Sequence, residues 1–411
     1  FVSDIDIVSL MEEVGLSANL MWFDLKGVTL YDGKIYNFVT PIDLLKFTPL
    51  SLINRVRLGV ATLYLKYKQN WQDLESITAD EWLKKNVGQK GYQVFWEPML
   101  RGKFGNQYFR EISMAWIWGK IHTRFASRGK SLSSEKLGYP YGSFGEIFDV
   151  LAQKIENLGG CILKSSSVRN IVTKNGEVTG IYFENTPADW ISPQPIDTAS
   201  TSNSIQTTQN NKESKQTFEE FDVVISTTPS DIFHRLLPEL PSEYTCKLKN
   251  VNYMTAVLLI LVLKHPLSNV YWLNVADRSI PFVGVVEQTN MIAPEYYGGK
   301  HLVYLTNYVN KGDPICNMEP KELLQKYLPH LRKINPDFDI SWIDDSYYQK
   351  IDAAQPIIGL NYSSRIPDHR TPVKGVYLAN TTQIYPEDRG TNYSVKIGRE
   401  VSGMVMHDYP D

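Results

Sequence analysis

The C-terminal part of the chain holds the residues whose types and spacing point most directly to chemistry. A buried strand is predicted at residues 375–380, a polar loop follows it, and a helix is predicted from near Tyr393. Gly390 interrupts the chain just before this helix, and Thr391 or Asn392 is the predicted cap. The free backbone N–H groups at such a helix start can hold an anion or developing negative charge. The alternative is an ordinary terminal helix packed on a strand.

A second group of residues places cations among aromatic side chains. Cationic and aromatic groups side by side can line a pocket for a conjugated or anionic substrate. The alternative is that the aromatic residues form core at helical spacing, that the cations are solvated, and that the histidine is satisfied within its helix. The candidate pocket residues are Arg101, Lys103, Trp116, His122 and Arg124.

Composition and motifs exclude several classes of protein. The 42 basic and 45 acidic residues give a net charge of −3, so nucleic acid is not an expected partner. The chain has no G-x-G-x-x-G, Walker, H-E-x-x-H or G-x-S-x-G motif. Its 3 cysteines lie far apart without histidine neighbours, which predicts neither a metal site nor a disulfide framework and favours a reducing, cytoplasmic compartment.

Hydrophobic patterns predict a mixed architecture. Residues 3–130 are predicted mainly helical, with one hairpin at 28–38 and two helices in 41–68 separated at Pro49. Core packing is the default for residues 41–68, and a peripheral membrane contact is the alternative. Short strands are predicted at 161–163, 167–172, 178–183 and 221–226, with the second pair as neighbours in a sheet. Further strands are predicted at 253–264, 270–273, 282–286 and 302–308, with a helix at 320–333 and a turn-rich break at 138–144.

The C-terminal segment resembles the flavin motif of the protoporphyrinogen oxidase-like amine oxidase superfamily. The similarity covers residues 375–379, 385–395 and 398–399. Three segments that precede it in the chain occur in the order expected of that family, namely residues 139–144, 159–171 and 221–229. The resemblance therefore covers almost the whole chain. It implies α/β plus α+β architecture, with an FAD/NAD(P)-binding Rossmann-like domain interleaved with a sheet-and-helix substrate domain.

This resemblance implies a division of the chain and a missing N-terminal βαβ unit. The substrate or cap region is expected at 1–138, and the second part of the FAD domain at 139–235, with a disordered polar insertion at 187–217. The substrate-domain sheet is expected at 236–365 and the last FAD segment at 366–411. The dinucleotide-binding turn is expected upstream of Phe1. At Ala379-Asn380-Thr381 the chain departs from the Ala-Gly-acid sequence of many relatives.

The resemblance also implies FAD as cofactor and a small-molecule substrate, and it leaves the oligomeric state open. The reaction would remove hydride from a C–N or C–C unit, and no catalytic side chain is assigned because direct hydride transfer needs none. The alternatives are a flavin-dependent sugar-nucleotide mutase of the UDP-galactopyranose mutase type and a non-catalytic remnant. A structural ion pair is the alternative role for Asp388 and Arg389. The expected cofactor-binding residues are Val168, Asp388, Arg389, Gly390, Thr391, Asn392, Tyr393 and Ser394.

Overall fold

Helices dominate the first third of the protein and recur at its end. The computed structural model describes residues 1–25, 27–37, 40–127, 135–185, 194–195 and 216–410. Hydroxyl side chains cap the N-termini of several helices. Each of them accepts a hydrogen bond from a backbone N–H group of the first turn, and they are Thr40, Ser51, Thr78 and Ser113. The helices are α1 (Ile5–Glu13), α2 (Pro41–Lys46), α3 (Leu52–Tyr67), α4 (Ala79–Val87), α5 (Gln89–Gly91), α6 (Glu97–Tyr108), α7 (Met114–Ala126), α8 (Ser143–Asn157), α9 (Ser230–Leu236), α10 (Ser242–Lys249), α11 (Pro320–Leu331) and α12 (Thr391–Asp408).

The strands of the described ranges form four sheets. The largest has eight strands in the order β3-β2-β11-β12-β13-β10-β14-β7. The three smaller sheets have the orders β5-β6-β8, β1-β4 and β15-β9. The strands are β1 (Leu20–Leu25), β2 (Gly27–Tyr31), β3 (Lys34–Asn37), β4 (Glu135–Pro140), β5 (Ser166–Lys174), β6 (Glu177–Asn185), β7 (Gln194–Pro195), β8 (Thr217–Glu220), β9 (Val224–Ser226), β10 (Tyr253–Leu263), β11 (Trp272–Val275), β12 (Gly284–Glu287), β13 (His301–Val309), β14 (Ile343–Pro356) and β15 (Val376–Leu378).

The eight-stranded sheet is built around β10, whose alternate side chains Val257, Leu259, Leu261 and Leu263 are fully buried. Helix α11 packs on the same core. The N-terminal hairpin β2–β3 joins this sheet, because β2 pairs in parallel with β11. Early and late parts of the chain are therefore interleaved in one sheet.

The helices α3 to α7 pack around a second hydrophobic core, and most side chains of α7 are buried in it. Trp116 is fully buried there, and its ring meets Phe104 edge to face at 4.8 Å. Helix α7 also packs against the loop that precedes α12, since a Cβ on Gly119 would lie 2.5 Å from the carbonyl oxygen of Pro386. The helical core therefore fixes the loop that leads into α12.

Most predicted elements are present, including the 28–38 hairpin, the two helices of 41–68 and the long strand at 253–264. The predicted strand at 161–163 is wrong, because these residues form neither helix nor strand. The turn-rich break at 138–144 comprises the end of β4, which pairs with β1, a turn at residues 141 and 142, and the start of α8. The strands at 178–183 and 221–226 meet only at their ends, where the Phe221 N–H donates to the Thr179 carbonyl oxygen; β6 pairs with β8, and β9 pairs with β15.

The predicted polar insertion at 187–217 lies outside the described residues, apart from Gln194–Pro195 and the last two residues, 216 and 217. The mixed architecture of helices and several sheets agrees with the predicted fold class. No helix in the described ranges combines the length and apolar character needed to cross a bilayer. The same ranges contain no cluster of side chains able to hold a metal ion.

Glu287 offers a stability test of the eight-stranded sheet. Its fully buried carboxylate accepts bonds from the Leu267 and Ser268 amides and from the Ser268 hydroxyl. Burial raises the pKa of Glu287 although these donors oppose the shift. Glu287→Ala should lower the unfolding free energy by about 2 to 4 kcal/mol, since three donors lose their acceptor. Urea denaturation measures the change. Glu177→Ala, which removes an exposed pair with Lys374, is the control and should cost less than about 1 kcal/mol.

Candidate active site

The N-terminus of α12 opens on a cavity of about 250 Å³. Gly390 is the N-cap residue, and no side chain caps this helix start. A Cβ on Gly390 would meet no atom within 4 Å, so the space beside it is open. The first-turn N–H groups therefore face the cavity. The dipole of this 18-residue helix adds partial positive charge at the same end. The cavity takes in six consecutive residues of this segment, namely Asp388, Arg389, Gly390, Thr391, Asn392 and Tyr393.

Asn392 was predicted as a cap of its own helix, and this prediction is wrong. Its side-chain oxygen instead accepts the backbone N–H groups of Asp6 (2.9 Å) and Ile7 (3.1 Å), in the first turn of α1. Asn392 is buried, so these bonds are shielded from water. Thr391 is exposed and does not cap the helix either. As a result, α12 keeps its own N–H groups available to the cavity.

Asp388 binds two lysines at the edge of the cavity. Its Oδ2 lies 2.8 Å from Lys120 Nζ and 3.2 Å from Lys103 Nζ. Burial raises the pKa of Asp388, but the two ammonium groups outweigh this effect and hold the pKa well below its usual range. Burial lowers the pKa of both lysines, and the Asp388 carboxylate opposes that shift. The cluster therefore places two lysines and one carboxylate beside the helix start.

Arg389 connects the same loop to the eight-stranded sheet. Its guanidinium donates to Gln355 Oε1 on β14 at 3.0 Å and to the Tyr308 hydroxyl on β13 at 2.9 Å. Asp388 and Arg389 thus have different partners, and the structure does not show the ion pair considered from the sequence. The loop before α12 is consequently held by α7 on one side and by the sheet on the other.

The opposite wall of the cavity is mainly apolar and comes from α1, β1, β4 and α8. Met11 lies on α1, Trp22 on β1 and Phe144 at the start of α8. Sequence reasoning assigned none of these residues to a site, because the wall forms only when α1 docks on α12. A flat apolar ligand can therefore pack on one wall while its polar edge faces the helix start and the cations. The apolar lining residues are Phe1, Ile7, Val8, Met11, Leu20, Trp22, Pro140 and Phe144.

The predicted substrate-pocket residues divide between several environments. Arg124 lines the cavity, and Lys103 lies at its edge through its bond to Asp388. Trp116 is core rather than lining. Arg101 pairs with Glu97, away from the cavity. His122 is structural in this arrangement, since its Nε2 lies 2.9 Å from the Leu65 carbonyl oxygen and its ring stacks on Trp118.

Lys120 is the site residue that sequence reasoning missed. It lies four residues after Trp116 and four before Arg124, so the three share one face of α7. Its ammonium lies 4.8 Å from the Trp116 ring centroid. Lys120 therefore makes a cation–π contact with Trp116 as well as its ion pair with Asp388. The i, i+4 spacing from Trp116 to Arg124 was the available signal. His122 lies off this face, which explains its different surroundings.

Val168 lies at a second cavity, of about 320 Å³. Ser226, Thr227 and Thr228, at the end of β9, line the same cavity. The predicted cofactor residues are therefore separated into two groups, with Val168 apart from residues 388–393. Ser394 is exposed, and its hydroxyl donates to the Gly390 carbonyl oxygen rather than lining the first cavity.

The first cavity fits the flavin end of FAD. A flavin ring has flat faces and one edge of carbonyl oxygens and ring nitrogens that becomes negative on reduction. The open space at Gly390, the uncapped helix start and the Lys120–Arg124 face match that edge, while the apolar wall matches the ring faces. Asp388 Oδ1 is also buried without a hydrogen-bond partner among the described residues, so the site has polar capacity left for a ligand or water.

The chain belongs to the family of flavin containing amine oxidoreductases, whose model matches residues 3–386. The resemblance inferred from the C-terminal segment and the flavin cofactor are thereby confirmed. A comparison with curated proteins found no match.

Several solved structures share the fold. An oxidoreductase from Methanosarcina mazei is 15% identical, with a TM-score of 0.68 over 97% of this chain and 85% of that one. A putative protoporphyrinogen oxidase from Exiguobacterium sp. 255-15 is 13% identical, with a TM-score of 0.67 over 99% and 86%. A reduced UDP-galactopyranose mutase is 13% identical, with a TM-score of 0.68 over 98% and 83%. At these identities the comparison shows a common fold.

Proposed function

We propose that the protein is an FAD-dependent oxidoreductase that removes hydride from a C–N or C–C unit of a small organic substrate. The observation that carries this proposal is the uncapped start of α12, which faces a cavity beside Lys120 and Arg124 in a chain of the flavin amine oxidoreductase family. Val168 and residues 388–394 are proposed as the cofactor-binding residues. The reaction would take place in the first cavity.

Bound flavin would supply the acceptor for the hydride. The N–H groups of α12 and the ammonium of Lys120 stabilise negative charge at the edge of the cavity, and their positions are already fixed by the surrounding core. Met11, Trp22 and Phe144 would pack against a bound ring from the other wall. The substrate loses a hydride from carbon and a proton from the adjacent nitrogen or carbon. Its two electrons then pass to an external acceptor such as oxygen or a quinone.

The visible spectrum of the purified protein, followed by denaturation and identification of the released cofactor, tests the first half of the proposal. A flavin spectrum with released FAD is the expected result. Anaerobic mixing with primary amines and with a porphyrinogen tests the second half. One of these classes should bleach the flavin band and give a product two electrons more oxidised, and an acceptor should restore the band. A protein that lacks flavin and does not take up added FAD would favour the non-catalytic remnant.

A redox-neutral reaction is the second candidate. The fold is shared with a reduced UDP-galactopyranose mutase, and the cations Lys120, Arg124 and Arg389 at the cavity suit an anionic sugar nucleotide. UDP-galactopyranose added to chemically reduced protein distinguishes the two candidates. Isomerisation without any change in the flavin band would support the mutase, whereas bleaching of oxidised protein by an amine would exclude a purely redox-neutral role.

A further inference from the structure

Helix α3 carries a row of large apolar side chains on its outer surface. Their exposed fractions run from 50% at Leu63 to 73% at Ile53. Single exposed apolar residues are ordinary, but seven on one 16-residue helix form a continuous apolar surface. They are Leu52, Ile53, Val56, Val60, Leu63, Tyr64 and Tyr67.

These seven residues occupy one side of the helix. With about 100° of rotation per residue, they fall within an arc of about 120°. The buried residues Leu58, Ala61 and Leu65 lie on the opposite side, where α3 packs on the helical core. Helix α3 therefore has two apolar sides, and only one of them is covered by the described part of the chain.

The cations of this region stand along both edges of the exposed apolar arc. By the same rotation, Arg57 lies next to one edge and Lys66 and Arg55 lie next to the other. The two arginines donate to backbone carbonyl oxygens, Arg55 to Leu45 and Leu50 and Arg57 to Lys85 and Asn86, so their charge is not cancelled by these partners. Residues 41–68 contain 5 basic residues and 1 acidic residue in a chain whose net charge is −3. The apolar surface is thus bordered by local positive charge.

We propose that α3 docks the protein on an anionic lipid surface, lying in the plane of the headgroups with the apolar arc inserted. An apolar face bordered by Lys and Arg is the pattern of interfacial helices, because the apolar side chains reach the acyl region while the cations meet lipid phosphates. The neighbouring helix α2 enlarges the surface with Ile42 and Leu45, exposed by 61% and 52%. Pairing with a second copy is less favourable, because a two-fold interface would bring the cations of both copies together.

Cosedimentation of the purified protein with vesicles tests this proposal. The protein should pellet with vesicles of phosphatidylcholine and phosphatidylglycerol, and less with phosphatidylcholine alone. The double variant Ile53→Asp/Val60→Asp should partition at least about tenfold less, because two inserted side chains become charged. Lys66→Gln should weaken binding by about fivefold on the anionic vesicles only. Neither change touches the cavity residues.

Met406→Asp on α12 is the control, since it places one aspartate at another helical position, one that is 68% exposed and lies outside the apolar surface of α3. It should bind vesicles as the unmodified protein does. Circular dichroism and the visible spectrum establish that each variant is folded. Absence of vesicle binding, or equal binding of the double variant, would overturn the proposal. A dimer in solution that the double variant dissociates, without vesicle binding, would assign the surface to a second copy and overturn it as well.

Discussion

Replacing Asp388 by alanine is expected to lower the free energy of unfolding by about 2 kcal/mol or more, because it leaves the mostly buried ammonium groups of Lys103 and Lys120 without their carboxylate. Urea denaturation measures this loss. The FAD affinity of the variant should fall too, since the loop leading into α12 loses its anchor on α7. Asp344→Ala removes a more exposed pair with Lys300 and should cost less than about 1 kcal/mol.

The contribution of Asp388 to the free energy of unfolding should depend on pH. The folded pKa of Asp388 is lowered, because the attraction of the two ammonium groups outweighs the opposing effect of burial. Its stabilisation is therefore complete above the ordinary carboxyl pKa of about 4 and is lost as the pH falls toward the folded value. The difference in unfolding free energy between the unmodified protein and Asp388→Ala should stay constant from neutral pH to about 4 and shrink below it. A difference that grew in acid would contradict the assignment.

Replacing all three charges tests whether the cluster serves the fold or the cavity. Lys103→Met/Lys120→Met/Asp388→Leu should recover much of the stability lost in Asp388→Ala, because apolar groups of similar size leave no unpaired charge. The triple variant should still bind FAD more weakly, since the positive charge beside α12 is gone. Recovery of both properties would show that the charges do not act on the ligand.

The second large effect is expected for Gly390→Leu, which should weaken FAD binding at least tenfold while leaving the flavin-free fold within about 1 kcal/mol. Its φ of −178° is extended backbone that any residue adopts, and its Cβ position is open. The added side chain therefore enters the cavity at the helix start. Titration of flavin-free protein with FAD, followed by fluorescence, measures the change.

Gly398→Leu is the control for this substitution. Gly398 lies two turns further along α12, also has open space at its Cβ position, and does not line the cavity. This variant should bind FAD normally. If Gly390→Leu and Gly398→Leu bound FAD equally well, the ring would have to lie elsewhere.

Local patterns in the sequence predicted those elements that local interactions define. The hairpin turned by Asp32 and Gly33, the interruption at Pro49 and the apolar strand β10 all carry their signal within a short window. Strand β14 was missed, because Asp344, Asp345 and Lys350 give it little strand propensity and its pairing with β10 provides the order. Long-range pairing is not visible in a short window.

The candidate site shows the same difference between local signals and long-range contacts. The glycine turn and the helix start at residue 390 were readable, since they follow one another in the chain. The role of Asn392 was not readable, because its partners are 385 and 386 residues away. Lys120 was missed, although its spacing to Trp116 and Arg124 is visible in the sequence, and its contact with Asp388 depends on how α7 packs. Sequence patterns thus indicated the C-terminal part of the candidate site, whereas tertiary packing determines which other side chains line it.

The two hydrogen bonds that Asn392 accepts from α1 couple the stability of two segments that are distant in the sequence. The same short stretch that faces the first cavity also accepts hydrogen bonds from the amide groups of Asp6 and Ile7. A ligand that orders the start of α12 must therefore also lower the population of the open form of α1, by thermodynamic linkage. Amide hydrogen exchange at Asp6 and Ile7, or protease cleavage within α1, should then report cavity occupancy without any optical signal from the cofactor.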